Sequence, residues 1–258
     1  MEFLKANLIN TTTQLSVTNN TTVVANIFNR DKFYQYYTDG LNNDLTTGSI
    51  TVTFDATTNV SRIALIDTNV KNFNIFYNGV TANTFALSSQ ATTTSQFTGN
   101  ADSNVYLRFP TTAVSSITID LKKTITADQE KFLGVLFVSD LLYTMGQIPN
   151  SGGYKPNLSP KQIVHLLSDG GSRVHNVRKK FNLNIDLDYV PETMVSSLRT
   201  IYDLEAPFQF SAFGTSTSWK NPVFFESVWP GDFRFYEFTD DAIGSGFSGK
   251  INLKETPL

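Results

Sequence analysis

Apolar and polar residues alternate in short runs along most of the chain, and a period of two is the pattern of strands. In "SITVTFD" (49–55), Ile50, Val52 and Phe54 alternate with Thr51 and Thr53. "SRIALID" (61–67), "KNFNIFYNG" (71–79), "VYLRF" (105–109) and "SSITIDLKK" (115–123) predict four further strands. The second of these puts Phe73, Ile75 and Tyr77 on one face and ends in a turn signal. "EKFLGVLFVSDLL" (130–142) departs from simple alternation. Val135 and Phe137 share one parity and Leu136 and Val138 the other, as in a strand buried on both sides. Before these strands, residues 1–30 read as extended or turn segments with one strand. "NRDKFYQYYTDGLNND" reads as a structured loop.

Past residue 145 the texture changes. "IPNSGGYKPNLSP" has the composition of a linker or long loop. "SPKQIVHLLSDGG" (159–171) predicts a short helix, with Ser159 as cap, Pro160 at the first helical position and Gly170 as stop. "KFNLNIDLDYV" (180–190) is the cleanest strand, with Phe181, Leu183, Ile185, Leu187 and Tyr189 alternating with Asn and Asp. "PETMVSSLRTIYDLEAP" (191–207) predicts a helix with Met194, Leu198, Ile201 and Tyr202 on one stripe. "FQFSAF" (208–213), "VFFESV" (223–228), "DFRFYEF" (232–238) and "GFSGKINLKE" (246–255) predict the remaining strands.

The expected fold is therefore mainly β, in two domains. Residues 1–145 form an antiparallel β-sandwich of jelly-roll type, in which 1–25 is an arm that can pack on the second domain. Residues 146–258, with a linker at 146–158, form an α+β domain with one main helix. No internal repeat is present.

Composition agrees with this. Of 258 residues 40% are hydrophobic and 13% aromatic, enough for a packed core, while only 17% are charged. The net charge of −3 gives no global footprint for nucleic acid, so sequence-specific nucleic-acid binding is not expected. Cysteine is absent, which removes disulfides and thiolate metal sites. No apolar run approaches the roughly 18 residues of a membrane span, and "MEFLKANLIN" lacks a signal peptide's apolar run. Membrane insertion is not expected; a cytoplasmic site of synthesis is.

Catalytic motifs are missing. The two histidines, His165 and His175, have no Gly-x-Ser-x-Gly elbow or His-Glu-x-x-His to serve. "GSGFSG" (244–249) resembles a phosphate loop in composition only; it precedes a strand and reads as a turn or bulge. Glu226, Asp232 and Glu237 stand among aromatics in "FFESVWPGDFRFYEF", as a carboxylate pair for glycoside hydrolysis would. Strands that turn Phe inward and acids outward account for them too. The basic cluster Arg173, Arg178, Lys179 and Lys180 suits phosphates or an acidic partner, or an edge strand blunted by charge. "KFYQYY" (32–37) suits a sugar- or partner-binding lip, or a plug for one end of the sandwich. No catalytic residue, cofactor or metal ligand is assigned, and no ligand-binding residue can be named.

"SITVTFDATTNVSRIALID", "KNFNIFYNG" and "VYLRFP…SSITIDLKK…EKFLGVLFVSDL" resemble the strands of discoidin-like, galactose-binding-type sandwiches over residues 25–142. Where many members carry Gly-Glu in the closing strand, this chain has Gly134-Val135. Residues 160–255, ending in "GKINLKE", resemble the tube-type and distal-tail-type folds of bacteriophage tail proteins. That resemblance implies a tail-tube-like or barrel-like second domain. It implies a non-enzymatic structural component of a tail tip or baseplate in the virion, assembled in the host cytoplasm. The implied partners are copies of itself in a ring, with hexameric symmetry, other tail proteins, and a host-surface saccharide at the sandwich. The alternatives are a stand-alone carbohydrate-binding or glycan-hydrolysing protein, and a capsid decoration protein.

Overall fold

The structure is a computed structural model that describes residues 1–29, 34–40, 43–78, 96–146, 154–166, 172–212, 224–240 and 244–256. The chain divides into two compact units, Glu2–Leu142 and Tyr143–Phe210 with Phe224–Pro257. The described residues are mainly β, in two antiparallel sheets.

In the N-terminal unit the strands are β1 (Glu2–Leu4), β2 (Leu15–Val17), β3 (Tyr36–Tyr37), β4 (Gly48–Thr68), β5 (Val70–Tyr77), β6 (Gln96–Phe97), β7 (Val105–Thr124) and β8 (Phe132–Ser139), followed by β9 (Leu141–Thr144) at the boundary. The sheet order is β3-β8-β4-β7-β5-β6, with β2 beside β4. Alternation predicts two strands at 49–55 and 61–67; the structure joins them into one strand of 21 residues. The polar stretch between them is absorbed as bulges, with register breaks at Thr53/Thr58 and Val60/Arg62, so the strand bends without reversing. The segments at 105–109 and 115–123 fuse in the same way into β7. Pro110 sits where pairing skips from Arg108 to Thr112, a place that needs no ladder donor.

Both halves of each long strand face one core: Ile50, Val52, Ile63 and Leu65 from β4 meet Leu107, Ile117 and Ile119 from β7. A sheet bent around its own apolar face makes a sandwich. β8 lies between β3 and β4 and is buried on both sides, as its sequence predicts. Leu133, Leu136 and Val138 enter the core while Phe137 is 2% exposed on its own account. Gly134 is required by close approach: a Cβ there would stand 2.9 Å from the Asp67 Cβ and 3.1 Å from the Ile66 carbonyl oxygen.

The C-terminal unit contains β10 (Tyr154–Leu166), β11 (Ser172–Val190), the helix α1 (Glu192–Tyr202), β12 (Phe208–Ser211), β13 (Phe224–Val228), β14 (Phe235–Asp240) and β15 (Gly244–Glu255). Its strands run in the order β10-β11-β15-β13-β12, and β14 also pairs with β15. The helix forms where expected. Glu192 lies in the first turn and Arg199 in the last, matching the helix dipole, and Met194, Leu198 and Ile201 bury one stripe.

Of the helix expected at 159–171, the described part, Ser159–Leu166, belongs to β10, and 167–171 lie outside the described residues. Pairing with β11 along the whole length of β10 overrides the local helix signal. Pro156 and Pro160 are spaced by an even number, so both missing N–H donors fall on one side of a strand at the end of the sheet order. β15 reaches β11 only over Asn182–Val190. Beyond it, Ser159–Leu166 and Ser172–Lys180 pair with each other as a two-stranded ribbon.

Candidate functional site

The alternation of β11 sets the geometry of the site. Leu183, Ile185 and Leu187 are buried, so Asn184, Asp186 and Asp188 occupy the opposite face. On β15, Ile251 and Leu253 are buried and Lys250 and Asn252 lie outward; the register places Lys250 beside Asp186 and Asn252 beside Asn184. β14 adds Tyr236 opposite Ser248. Of these outward groups, all but Asn184 join Asp232 and Arg234 in lining a cleft of about 590 Å³.

The segment before β14 is held from the other face. Phe233 packs at a tilt against Trp229 and Tyr202 at centroid distances of 5.5 Å, and against Phe235 at 4.9 Å. The Tyr202 hydroxyl donates to the Gly231 carbonyl oxygen at 2.8 Å. Gly231 has φ +90°, which a side chain rarely adopts, and it starts the turn that sends Asp232, Arg234 and Tyr236 outward. Phe235 lies over Gly249, whose Cβ, if present, would be 2.5 Å from the ring. Residues 244–249 are therefore part of β15, not the separate turn their glycines suggest.

Asp186 is the electrostatic centre. Lys155 Nζ donates to its Oδ2 at 2.6 Å, and Lys250 Nζ stands 3.5 Å from Oδ1. The Lys155 hydrogen bond, with help from Lys250 and against partial desolvation, holds this carboxyl below its ordinary value. Asp232 pairs with Arg234. At the cleft's edge the β11–β15 register shifts between Leu187 and Val190, and Tyr189 in this bulge has φ +58° and is 51% exposed.

Of the carboxylates that the sequence suggested, only Asp232 reaches the cleft. Glu226, on β13, accepts a hydrogen bond from Thr256 Oγ1 at 2.6 Å. Glu237 stands opposite Phe247 in the β14–β15 register, one residue from Tyr236 and so on the other face. Asp186 and Asp188 were overlooked as site residues. Their signal was present in "NLNIDLD", where acids two apart on a half-buried strand must share the exposed face.

The aromatic loop divides. Tyr36 plugs the core, 0% exposed; its hydroxyl donates to the Asn19 carbonyl oxygen at 2.9 Å and burial pushes its pKa up to about 12. Tyr34 and Tyr37 are 56% and 41% exposed, while Lys32 and Phe33 lie outside the described residues. His165 and His175 lie on the ribbon, in β10 and β11, so His165 is not helical. Arg173, Arg178, Lys179 and Lys180 are on the same ribbon, where β11 pairs with β10 alone among the described strands.

Among the described residues, no group of three or more His, Cys, Asp or Glu is placed to hold a metal ion. Nor is any helix among them long and apolar enough to cross a membrane.

No protein-family model matches the chain, and no curated protein matches it. Solved structures do. A GH29 fucosidase of Ruminococcus gnavus in complex with fucose aligns at 12% identity and TM-score 0.38, over 52% of this chain and 27% of the fucosidase. A chitosan-binding module from a chitosanase/glucanase of Paenibacillus sp. IK-5 aligns at 11% and 0.36, over 53% of this chain and 99% of the module. The CBM32-1 and CBM32-2 domains of Clostridium perfringens ZmpB, in complex with GalNAc, align at 12% and 0.34, over 99% of this chain and 88% of theirs.

Proposed function

We propose that this chain is a non-catalytic saccharide-binding protein whose C-terminal cleft receives a sugar ring. The observation that carries the reading is Tyr236: it is 65% exposed on a strand fixed by its pairing, at the rim of a cleft lined with Asp186, Asp188 and Asn252. A sugar offers an apolar C–H face that packs on an aromatic ring, and hydroxyls that donate to carboxylates and an amide. The lining has three carboxylates against Arg234 and Lys250, which suits a neutral or amino sugar better than an acidic one. Hydrolysis would need a carboxyl held protonated as general acid. Asp186 is shifted the opposite way, which suits it to accept a ligand hydroxyl and not to serve as that general acid.

Glycan-array screening followed by calorimetric titration tests this. Tyr236→Ala is expected to weaken the best ligand about tenfold or more, from roughly 1.4 kcal/mol of lost contact, with the unfolding midpoint unchanged. A wild-type chain that retains no glycan sinks the reading.

A second reading, a ring-forming structural protein of a phage tail tip or baseplate, is supported by the ribbon that runs past β15. Among the described strands this stretch of β11 pairs with β10 alone, and a two-stranded ribbon is marginal in water and gains from a partner. Under this reading the partners are further copies and other tail proteins, and the place is the virion. Electron microscopy of the purified protein, alone and in its parent particle, decides it by the presence or absence of rings.

A further inference from the structure

Tyr189 stands in a backbone conformation that tyrosine rarely adopts. Six described residues other than glycine have positive φ, and four of them are Asn or Asp, whose short side chains tolerate it. Tyr189, at φ +58°, is the aromatic one, and a bulky side chain there is strained. Core burial does not account for a tyrosine here, since the residue is 51% exposed. The bulge explains the exposure. Leu187 and Val190 are three apart yet both buried, so the alternation slips by one between them, and Asp188 and Tyr189 both emerge on the outer face.

The same register sets a second tyrosine across from it. Gly249 and Phe247 are the β15 partners of Leu187 and Val190, so Asp188 and Tyr189 share Ser248 as their neighbour on one side. Tyr236 is the partner of Ser248 on the other. The row across the outer face therefore reads Tyr189, Ser248, Tyr236. Two strand spacings put the backbones of the tyrosines roughly 9–10 Å apart, and side chains of a sheet stand perpendicular to it. Two carbon contacts of about 3.5–4 Å, one against each tyrosine, fill most of that width. What is left suits one saturated ring standing on edge.

We propose that Tyr189 and Tyr236 are the two walls of a slot that holds a β-linked, gluco-configured sugar ring on edge. This rests on the saccharide-binding reading above and adds to it the class of sugar. A pyranose whose substituents are all equatorial presents C–H bonds on both faces, so both can lie against tyrosine. An axial hydroxyl, as in galactose or mannose, would be pressed against one wall without a partner, which lowers affinity about tenfold or more. Equatorial hydroxyls point along the plane of the ring, down to the Ser248 hydroxyl and the Asp188 carboxylate. Asp186, Lys250, Asp232 and Arg234 share the cleft with them. The strain at Tyr189 is what placing the second wall costs.

Calorimetric titration of the full chain with β-1,4-linked tetrasaccharides of glucose, N-acetylglucosamine, galactose and mannose tests this. The tighter of the first two should exceed both of the others about tenfold or more in affinity. Tyr189→Gly should weaken that ligand about tenfold and abolish the preference. Its unfolding midpoint should stay or rise, because glycine adopts φ +58° without strain. Tyr189→Asn, which also tolerates that φ, should behave like Tyr189→Gly, and Tyr189→Phe should keep both affinity and preference. Preference for the galactose or mannose ligand, or binding confined to glycans without a gluco-configured ring, overturns the proposal. So does saccharide binding that Tyr236→Ala weakens and Tyr189→Gly does not; the cleft is then a sugar site with one wall. Loss of binding in Tyr189→Gly together with a lowered midpoint overturns it too, since the tyrosine would then be holding the fold. A chain that retains no glycan at all overturns the slot and the saccharide reading together.

Discussion

Glu2 in the N-terminal unit and Asp186 in the C-terminal unit each stand between two basic side chains, and their surroundings give them opposite roles. Glu2 is 0% exposed; Arg62 donates to it through Nη2 at 2.6 Å and Nε at 3.0 Å, Tyr106 donates its hydroxyl at 2.6 Å, and Arg108 Nε lies 3.4 Å away. The Asp186 side chain is 27% exposed, and those of its partners Lys155 and Lys250 are 60% and 71% exposed. A carboxylate sealed with a bidentate guanidinium holds structure, because neither ion can leave without stranding the other. A carboxylate reached by water on a sheet face costs little to keep and can exchange a lysine for a ligand hydroxyl. Ion pairs of similar composition thus mark a scaffold in one unit and, on the proposed saccharide-binding reading, a recognition surface in the other.

The largest expected effect comes from breaking the sealed group. Glu2→Gln keeps the shape but leaves the Arg62 guanidinium buried without its counter-charge, and should cost about 3–5 kcal/mol in urea unfolding. Replacing Glu2 and Arg62 together by Met should cost less than Glu2→Gln alone, because no charge is left stranded. If the single and double variants unfold alike, the group is not acting as a sealed pair.

An intermediate effect is expected where the cleft rests on its inner face. A side chain at Gly249 would strike Phe235 and, at 2.7 Å, the Arg234 carbonyl oxygen; the ring could swing away but the backbone of β14 cannot. Gly249→Val should destabilise by about 1–3 kcal/mol and, on the proposed reading, should weaken saccharide binding as well, since β14 carries Tyr236. Thermal unfolding and titration on the same sample separate the two losses.

These elements also show what could be read from the residues. Wherever apolar positions alternated against Thr, Asn or Asp, as at 49–55, 71–77 and 180–190, a strand formed, because burial of one face decides the matter locally. The continuity of β4 and β7 was hidden, since a bulge and a turn draw on the same small polar residues and differ only in what pairs across them. The segment at 159–166 misled for a related reason. Ser159, Pro160 and Gly170 are good helix punctuation, and the partner that overrules them lies on another strand. At the site, the acids among aromatics drew attention to Glu226 and Glu237, which point elsewhere. Asp186 and Asp188 were visible as the polar face of a strand, but that they face Lys250 and Tyr236 depends on pairing between segments more than 45 residues apart in sequence.

The smallest effect is expected from Asp186 itself. Asp186→Asn removes two ion pairs that water already screens, so the loss at neutral pH should stay under about 1 kcal/mol. Its pH dependence identifies the cause. The Lys155 hydrogen bond lowers the folded carboxyl's pKa beneath its ordinary 3.8, so as pH falls the unfolded chain takes up the proton first. The contribution is therefore complete above the ordinary value and disappears as pH falls through the lower, folded one. Wild type and Asp186→Asn should differ by a constant amount between about pH 5 and 8 and converge only in stronger acid. Denaturant curves that drew together between pH 5 and 7 would mean that the carboxyl is raised and available for acid catalysis, and the contrast with Glu2 would then be one of chemistry as well as exposure.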